Sequence, residues 1–196
     1  MKVPFFPYSD LYFEDQDAYQ TIFNDVSSKG AFILQKELED FENILCDYTG
    51  SNYALGMGNA TDALEIGLMA GGLKKGSEVI ISSHTMIATA SAIVVAGAIP
   101  VPIDCGNDHM IDVTKIESAI TEKTSAIMPT QLNGRVCEMD AIFKIADKHN
   151  LEVYEDSAQA LGAKYKNQTA GTFGIAGCIS FYPAKTGDVL VMVEHY

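Results

Sequence analysis

An aspartate and a lysine, each placed after an apolar run, are the residues of this chain best suited to chemistry. Asp156 ends the run that begins at Val153, and Lys185 comes shortly after the run at 178–182. Ligands of an open α/β sheet bind at the carboxyl ends of its strands. A carboxylate and a lysine at neighbouring strand ends suit pyridoxal phosphate, because the carboxylate keeps the pyridine nitrogen protonated and the lysine forms a Schiff base. The alternative is that Asp156 caps a helix and Lys185 is a solvated surface cation, the usual situation of such residues.

A glycine-rich turn before an apolar helix is a second candidate site. Residues 56–58 follow a short predicted strand at 53–55, and the helix then begins around Asn59, Ala60 and Thr61. Free backbone N–H groups and the helix dipole make such a helix start an anion site. The turn matches neither a Walker loop nor a GxGxxG fingerprint. The alternative is an ordinary helix start that is capped by Asn59 or Thr61.

Strand and helix patterns alternate from residue 53 onward. Short apolar runs occupy 78–82, 99–103, 125–130, 151–154 and 178–182, and helical patterns occupy 62–70, 87–96, 113–120 and 139–148. This alternation predicts βαβ units, and therefore a three-layer α/β fold in which a mainly parallel sheet is flanked by helices. Asp112 is the predicted N-cap of the helix at 113–120.

The first part of the chain is predicted to be helical. The first seven residues are expected to be extended, and helices are expected at 15–28 and 34–48. Gly30 and Gly50 would end these two helices.

Charge and composition restrict the classes of partner. The formal net charge of −13 argues against nucleic acid and anionic membrane surfaces. The four cysteines are scattered without a CxxC pair, and no apolar run is long enough to span a membrane. The N-terminus lacks the basic and apolar regions of a signal peptide, so we expect a cytoplasmic protein. No pair of histidines or cysteines has metal-ligand spacing, and we therefore expect no metal site.

Four motifs occur in an order that resembles one known family. They are GNATDAL at 58–64, SHTMIAT at 83–89, EDSAQ at 155–159 and SFYPAK at 180–185. Together they resemble the DegT/StrS family of sugar aminotransferases, which are pyridoxal-phosphate enzymes with the aspartate-aminotransferase fold. The resemblance extends from about residue 10 to Lys185.

The resemblance implies a role for each motif. Lys185 would hold pyridoxal phosphate and act as general base, and Asp156 would face the pyridine nitrogen. Gln159 would lie beside the phenolic oxygen, and Ser180 would bind the phosphate. The residues that the resemblance places at the cofactor are Asn59, Ala60, Thr61, Thr85, Met86, Asp156, Gln159, Ser180 and Lys185. Met86 stands where the family usually has an aromatic residue stacked on the ring, and a thioether also packs favourably on such a ring.

Two residues, His84 and Asn133, are candidates to contact the substrate. For His84 the alternative is an ordinary histidine at the end of a strand. For Asn133 the alternative is a turn in which Asn133 and Gly134 only supply positive φ angles.

The resemblance implies transfer of an amino group from an amino acid, with glutamate as the expected donor, to a nucleotide-linked keto sugar by a homodimer. Lys185 favours transamination, because related sugar dehydratases have histidine at that position. One alternative is a catalytically inactive module that binds the cofactor or a partner chain. Another is a pyridoxal-phosphate enzyme that acts on amino acids alone.

The resemblance ends at Lys185. Family members continue with a glycine-rich turn and a small C-terminal domain, whereas this chain continues with residues 186–196. We expect a truncated chain that lacks the small domain. It would comprise a helical segment at 1–52, the large cofactor domain at 53–185 and a divergent tail at 186–196. Arg135 is the sole arginine, and groups that bind the donor's carboxylate are expected in the missing part.

Overall fold

A parallel sheet of five strands is the centre of the computed structural model, which describes residues 7–183 and residue 185. The strands are, in chain order, β1 (Glu78–Ser82), β2 (Ile99–Ile103), β3 (Thr124–Met128), β4 (Glu152–Asp156), β5 (Lys164–Tyr165), β6 (Gln168–Thr169) and β7 (Ala176–Cys178). Strands β5 and β6 form a separate antiparallel pair, and the others lie in the order β2-β1-β3-β4-β7. Because every pair in the large sheet is parallel, the carboxyl ends of its strands lie at one edge.

Helices precede the sheet and connect its strands. Within the described residues they are α1 (Tyr8–Glu14), α2 (Gln16–Lys29), α3 (Lys36–Thr49), α4 (Ala60–Ala70), α5 (Ile87–Val95), α6 (Val113–Ala119) and α7 (Met139–His149). Gly30 and Gly50 end α2 and α3 with φ angles of 65° and 79°, as the sequence predicts. Asp112 caps α6, because its carboxylate accepts a hydrogen bond from the N–H of Thr114 over 3.0 Å.

The sheet is covered on both faces because successive strand residues point in opposite directions. Ile80 belongs to a buried cluster with Ile116 of α6 and the apolar face of α7. Its neighbour Val79 belongs to a second cluster, with Leu68 of α4 and Ile93 of α5. Burial of each such side chain contributes roughly 1.5–3 kcal/mol. The predicted three-layer α/β fold is therefore confirmed.

Two predicted strands differ from the structure. Residues 53–55 form no strand in the described chain, and Tyr53 and Leu55 are 88% and 75% exposed. A strand needs a neighbour that completes its ladder of hydrogen bonds, and the described sheet provides none at this position. The run at 178–182 forms a strand only as far as Cys178, because its pairing partner β4 ends at Asp156.

Helix α1 is an element that the sequence did not predict, and none of its residues is buried. The extended segment predicted for the first seven residues lies outside the described residues except for Pro7, as does the tail at 186–196. The division of the chain at residue 52 remains a prediction. Among the described helices, none is both long enough and apolar enough to cross a bilayer.

Candidate active site

Asp156 lies at the carboxyl end of β4, and only 3% of its surface is exposed. Its Oδ2 accepts a hydrogen bond from the hydroxyl of Thr89 over 2.5 Å, and its Oδ1 accepts one from the N–H of Ala158 over 3.2 Å. Burial raises the pKa of Asp156, whereas the two hydrogen bonds and the positive charge of Lys185 oppose that rise. A further cation beside this carboxylate would therefore favour its ionised form.

Thr89 is one of three threonines whose hydroxyl groups connect α5 with the edge of the sheet. The Oγ1 of Thr85 lies 2.6 Å from the Oγ1 of Thr89 and 2.8 Å from the Oγ1 of Thr130. Thr89 lies in the first turn of α5, and Thr85 lies in the segment just before that helix. Thr130 is a bridge partner of Asp156. The network fixes the orientation of the Asp156 carboxylate.

Lys185 lies at the same edge of the sheet as Asp156. Asp156 is the register partner of Cys178, the last residue of β7, and the chain leads from there to Lys185. The N–H of Lys185 donates to the carbonyl of Tyr182 over 2.8 Å and closes a turn. Lys185 is half-buried, and its charge acts on both Asp156 and Cys178. The predicted acid and the predicted lysine are thus brought together.

The start of α4 lies against β7. Asn59 caps the helix, because its Oδ1 accepts a hydrogen bond from the N–H of Asp62 over 2.9 Å. The Sγ of Cys178 donates to the carbonyl of Ala60 over 3.2 Å. The first-turn N–H groups of Ala60 and Thr61 have no carbonyl partner one turn earlier in the helix, so they are available to an anion. This geometry is compatible with both sequence interpretations, a capped helix start and an anion site.

Gln159 and Ser180, two predicted cofactor contacts, form hydrogen bonds within the protein. The Oγ of Ser180 accepts one from the N–H of Tyr182 over 3.3 Å. The Oε1 of Gln159 accepts one from the N–H of Asn133 over 3.3 Å, and its carbonyl accepts one from Gly134 over 2.8 Å. Asn133 and Gly134 have φ angles of 52° and 73°. They therefore supply the positive-φ turn, and that turn lies beside Gln159.

His84 and Met86 are exposed residues of the segment that leads into α5, and Met86 is the N-cap of that helix. Met86 is 55% exposed, and a depression of about 220 Å³ that is also lined by Thr85 opens beside it. The Nδ1 of His84 lies 3.1 Å from the carbonyl oxygen of His109. No hydrogen bond within the described residues joins His84 or Met86 to Asp156.

Gln131 and Glu155 form a fully buried pair behind the site. The Nε2 of Gln131 donates to Glu155 over 2.7 Å, and its Oε1 accepts a hydrogen bond from the N–H of Cys137 over 2.7 Å. Burial raises the pKa of Glu155, and the hydrogen bond from Gln131 opposes the rise. The side chain of Gln131 therefore faces the interior, although the residue opens the loop that carries Asn133.

Sequence reasoning missed two contacts of the site, Thr89 and Thr130. For Thr89 a signal existed, namely a hydroxyl within an apolar helix and four residues after Thr85. For Thr130 no local signal exists, since its contact with Thr85 depends on which strands are neighbours in the sheet.

The donor set of this edge fits pyridoxal phosphate. Asp156 offers a buried carboxylate to a protonated ring nitrogen, and Lys185 offers an amine to an aldehyde carbon. The start of α4, beside the end of β7, offers backbone N–H groups to a phosphate.

Comparison with known proteins gives a family match over most of the chain. Residues 14–189 match the DegT/DnrJ/EryC1/StrS aminotransferase family. The chain is 37% identical over 185 residues to dTDP-3-amino-3,4,6-trideoxy-alpha-D-glucose transaminase of Streptomyces venezuelae, in an alignment that covers 94% of this chain and 49% of that protein.

Two solved structures are also similar to this chain. DesV from Streptomyces venezuelae has a TM-score of 0.90 at 37% identity, over 94% of this chain and 50% of the other. NtdA from Bacillus subtilis, solved with bound cofactor PMP, has a TM-score of 0.88 at 34% identity, over 96% of this chain and 43% of the other. The chain therefore spans about half the length of the relatives it matches.

Proposed function

Because the chain belongs to the DegT/DnrJ/EryC1/StrS aminotransferase family, we propose that it uses pyridoxal phosphate to move an amino group from glutamate to a nucleotide-linked keto sugar. The observation that carries this proposal is the buried carboxylate of Asp156 with the charge of Lys185 acting on it at one edge of the sheet. A buried carboxylate is costly unless a cation or hydrogen bonds accompany it. A protonated pyridine ring is such a cation.

The proposed mechanism assigns proton transfer to Lys185. When bound, pyridoxal phosphate supplies an electron sink for the electron pair released at the α-carbon of the donor. Lys185 would hold the cofactor through its Nζ, and its amine, once free, would take the proton from the α-carbon of the donor. Asp156 would keep a proton on the ring nitrogen, because its carboxylate can accept a hydrogen bond from that N–H.

The remaining contacts position the cofactor and the substrates. The N–H groups of Ala60 and Thr61 and the hydroxyl of Ser180 would bind the phosphate. Asn59 holds that helix start in place through its cap. Gln159 would lie beside the phenolic oxygen. Thr85 and Met86 would contact the ring, and His84 and Asn133 are the candidates to contact the substrate.

The class of acceptor is supported by the relatives, one of which is named as a transaminase of a dTDP-linked sugar. From this relative we take only the class of acceptor for our proposal, namely a keto sugar linked to a nucleotide. A homodimer in the cytoplasm is part of the same proposal.

Reduction of the chain with borohydride in the presence of pyridoxal phosphate tests the cofactor site. We expect a pyridoxyl group on Lys185 by peptide mass spectrometry, and an imine absorbance that disappears in Lys185→Ala while the circular dichroism is unchanged. Lys144→Ala is the matched control, because Lys144 is an exposed lysine on α7. An imine band that persists in Lys185→Ala, or a label only on other lysines, would overturn the assignment.

Addition of glutamate to the loaded chain then tests turnover. Conversion of the imine absorbance to that of the pyridoxamine form supports transamination. A band that glutamate leaves unchanged contradicts activity of this chain and favours the alternative of a module that binds the cofactor without turnover.

A further inference from the structure

We propose that His84, Cys105 and His109 form a binding site for a divalent transition-metal ion, with zinc as the expected ion. One ring nitrogen of each histidine and the Sγ of Cys105 all lie within 4.8 Å of one another. The expectation that the chain has no metal site rested on sequence spacing, whereas the fold brings His84 from the end of β1 to Cys105 and His109 after β2. This inference does not depend on the proposed aminotransferase activity.

Two neighbouring strands bring His84 and Cys105 to one place. Strands β1 and β2 are parallel, with Ser82 beside Ile103. The N–H of Ser83 donates to the carbonyl of Ile103 over 2.7 Å, which extends the pairing past the end of β1. His84 comes two residues after Ser82, and Cys105 comes two residues after its register partner Ile103. Both residues therefore lie at the same edge of the sheet.

A closed turn after β2 returns His109 to Cys105. The N–H of Gly106 donates to the carbonyl of Met110 over 2.9 Å, and the N–H of His109 donates to the carbonyl of Gly106 over 3.0 Å. Cys105 and Ile111 form an antiparallel bridge at the base of the turn. His109 has a φ angle of 67°, which is uncommon for a residue with a side chain. The turn therefore holds the two ligands on one short, hydrogen-bonded segment.

The tautomer of His84 that its hydrogen bond favours suits a metal ligand. Its Nδ1 lies 3.1 Å from the carbonyl oxygen of His109. Because a carbonyl oxygen only accepts, Nδ1 carries the ring proton in this contact, and Nε2 retains a free lone pair. Histidines that bind metals commonly donate their other N–H to a carbonyl in this way, which fixes the tautomer and the ring orientation.

The ligand types select the class of ion. Two imidazoles and a thiol suit zinc and related transition metals, whereas magnesium and calcium prefer oxygen ligands. Bonds of about 2.0–2.3 Å in a tetrahedral site place ligand atoms about 3.3–3.8 Å apart. The three ligand atoms lie within 4.8 Å of one another here, so only small side-chain movements are needed. The side chain of His109 is exposed and can rotate while the ring of His84 keeps its hydrogen bond to the backbone of His109. The exposure also leaves the fourth position open to water.

Cobalt titration of the full chain, treated with a chelator and kept free of pyridoxal phosphate, tests the site. We expect one equivalent of Co²⁺ to give the visible bands of tetrahedral coordination together with a thiolate-to-cobalt charge-transfer band, and Zn²⁺ to displace it. The charge-transfer band should disappear in Cys105→Ser. His109→Ala should weaken binding about tenfold or more, which is at least the loss seen when a supporting residue of a metal site is removed.

The matched control is Cys46→Ser, because Cys46 is the other half-buried cysteine of the chain and lies on α3. Its titration should equal that of the unchanged protein. Absence of the charge-transfer band in the unchanged protein would overturn the proposal, whatever the variants do. So would a band that survives Cys105→Ser or disappears with Cys46→Ser. Since no pyridoxal phosphate is present, these outcomes are separate from those of the borohydride experiment.

Discussion

The hydroxyl of Thr89 and the carboxylate of Asp156 are joined by a 2.5 Å hydrogen bond between two side chains that are almost fully buried. This bond connects α5, which covers one face of the sheet, to the end of β4. Because the hydroxyl donates to the ionised carboxylate, the bond favours the charged form and opposes the rise in the pKa of Asp156 that burial causes. Thr89 therefore helps to keep Asp156 charged.

Thr89→Val should lower the free energy of unfolding by about 1–3 kcal/mol at neutral pH, because a buried carboxylate loses a hydrogen-bond donor. The loss should be smaller in acid, where Asp156 is protonated in both proteins. Urea unfolding at the two pH values measures the difference. Thr21→Val is the control, since Thr21 is an exposed threonine on α2 whose hydroxyl also donates within the chain, and its effect should be within about 0.5 kcal/mol. An equal loss for both variants would contradict the role of Thr89.

Glu155→Ala should lower the free energy of unfolding by at least about 3 kcal/mol, because several buried donors lose their acceptor. The N–H of Phe173 donates to Glu155 over 2.5 Å and that of Gly171 over 3.1 Å, in addition to the amide of Gln131. Glu152→Ala is the control in the same strand, because Glu152 is exposed, and it should be nearly neutral. Similar losses for the two variants in urea unfolding would show that these hydrogen bonds contribute little.

The same carboxylate should make stability depend on pH. Burial raises the pKa of Glu155 above its ordinary value of 4.5. Between the ordinary and the raised pKa the folded state binds more protons than the unfolded state, so the free energy of unfolding falls as pH rises through that window. Glu155→Gln removes this contribution, while Asp156 contributes in the same direction in both proteins. The stability of the unchanged protein relative to Glu155→Gln should therefore decrease as pH rises above 4.5, and an increase would contradict the raised pKa.

The fold was largely predictable from the sequence, because apolar residues recur with a different spacing in strands than in helices. Asp156 could be chosen as a candidate because this carboxylate ends an apolar run. The contact between Thr89 and Asp156 could not, since it depends on how β4 and α5 pack together. The cluster of His84 and Cys105 could not be predicted either, because it requires that β1 and β2 be neighbours in the sheet.

Local patterns also predicted more strand than the structure contains. The run at 178–182 is apolar throughout, but its strand ends at Cys178 because β4 supplies no further partner. Residues 53–55 have a strand-like composition and no partner within the described chain. Composition measures the tendency to pair, whereas a strand also needs a neighbour.

Gly177→Ala should displace β7 and thereby reduce labelling of Lys185. A Cβ at Gly177 would overlap the backbone of Gly171, which cannot turn aside as a side chain can. We expect a loss of about 1–3 kcal/mol in the free energy of unfolding and a lower yield of pyridoxyl-Lys185 after borohydride reduction. Gly67→Ala on α4 is the control. A Cβ at Gly67 would lie 3.4 Å from the Cβ of Ala176, which belongs to β7 as Gly177 does. Alanine there should be neutral or stabilising, because it favours the helix. Unchanged labelling in Gly177→Ala would show that Lys185 is positioned independently of β7.

Asp156→Asn should separate cofactor attachment from proton transfer. The amide oxygen of asparagine can still accept the hydrogen bond from Ala158, and its NH₂ group can donate to the hydroxyl oxygen of Thr89, so the fold should be retained. Borohydride should still fix the pyridoxyl group on Lys185. An amide holds a proton on the ring nitrogen far less well than a carboxylate does, and the conversion of the imine band by glutamate should therefore slow about 100-fold or more.

The control for this prediction is Asp147→Asn, because Asp147 is an exposed aspartate on α7 and should leave both readouts unchanged. If Asp156→Asn kept the full rate with glutamate, the ring nitrogen would not depend on this carboxylate, and the burial of Asp156 would have to be explained by its bonds to Thr89 and Ala158 alone. If labelling of Lys185 were lost while the circular dichroism was unchanged, Asp156 would be required for cofactor binding itself. The proton-transfer role would then have to be tested by Thr89→Val. This change removes a hydrogen bond that lowers the pKa of Asp156, and it keeps the carboxylate itself.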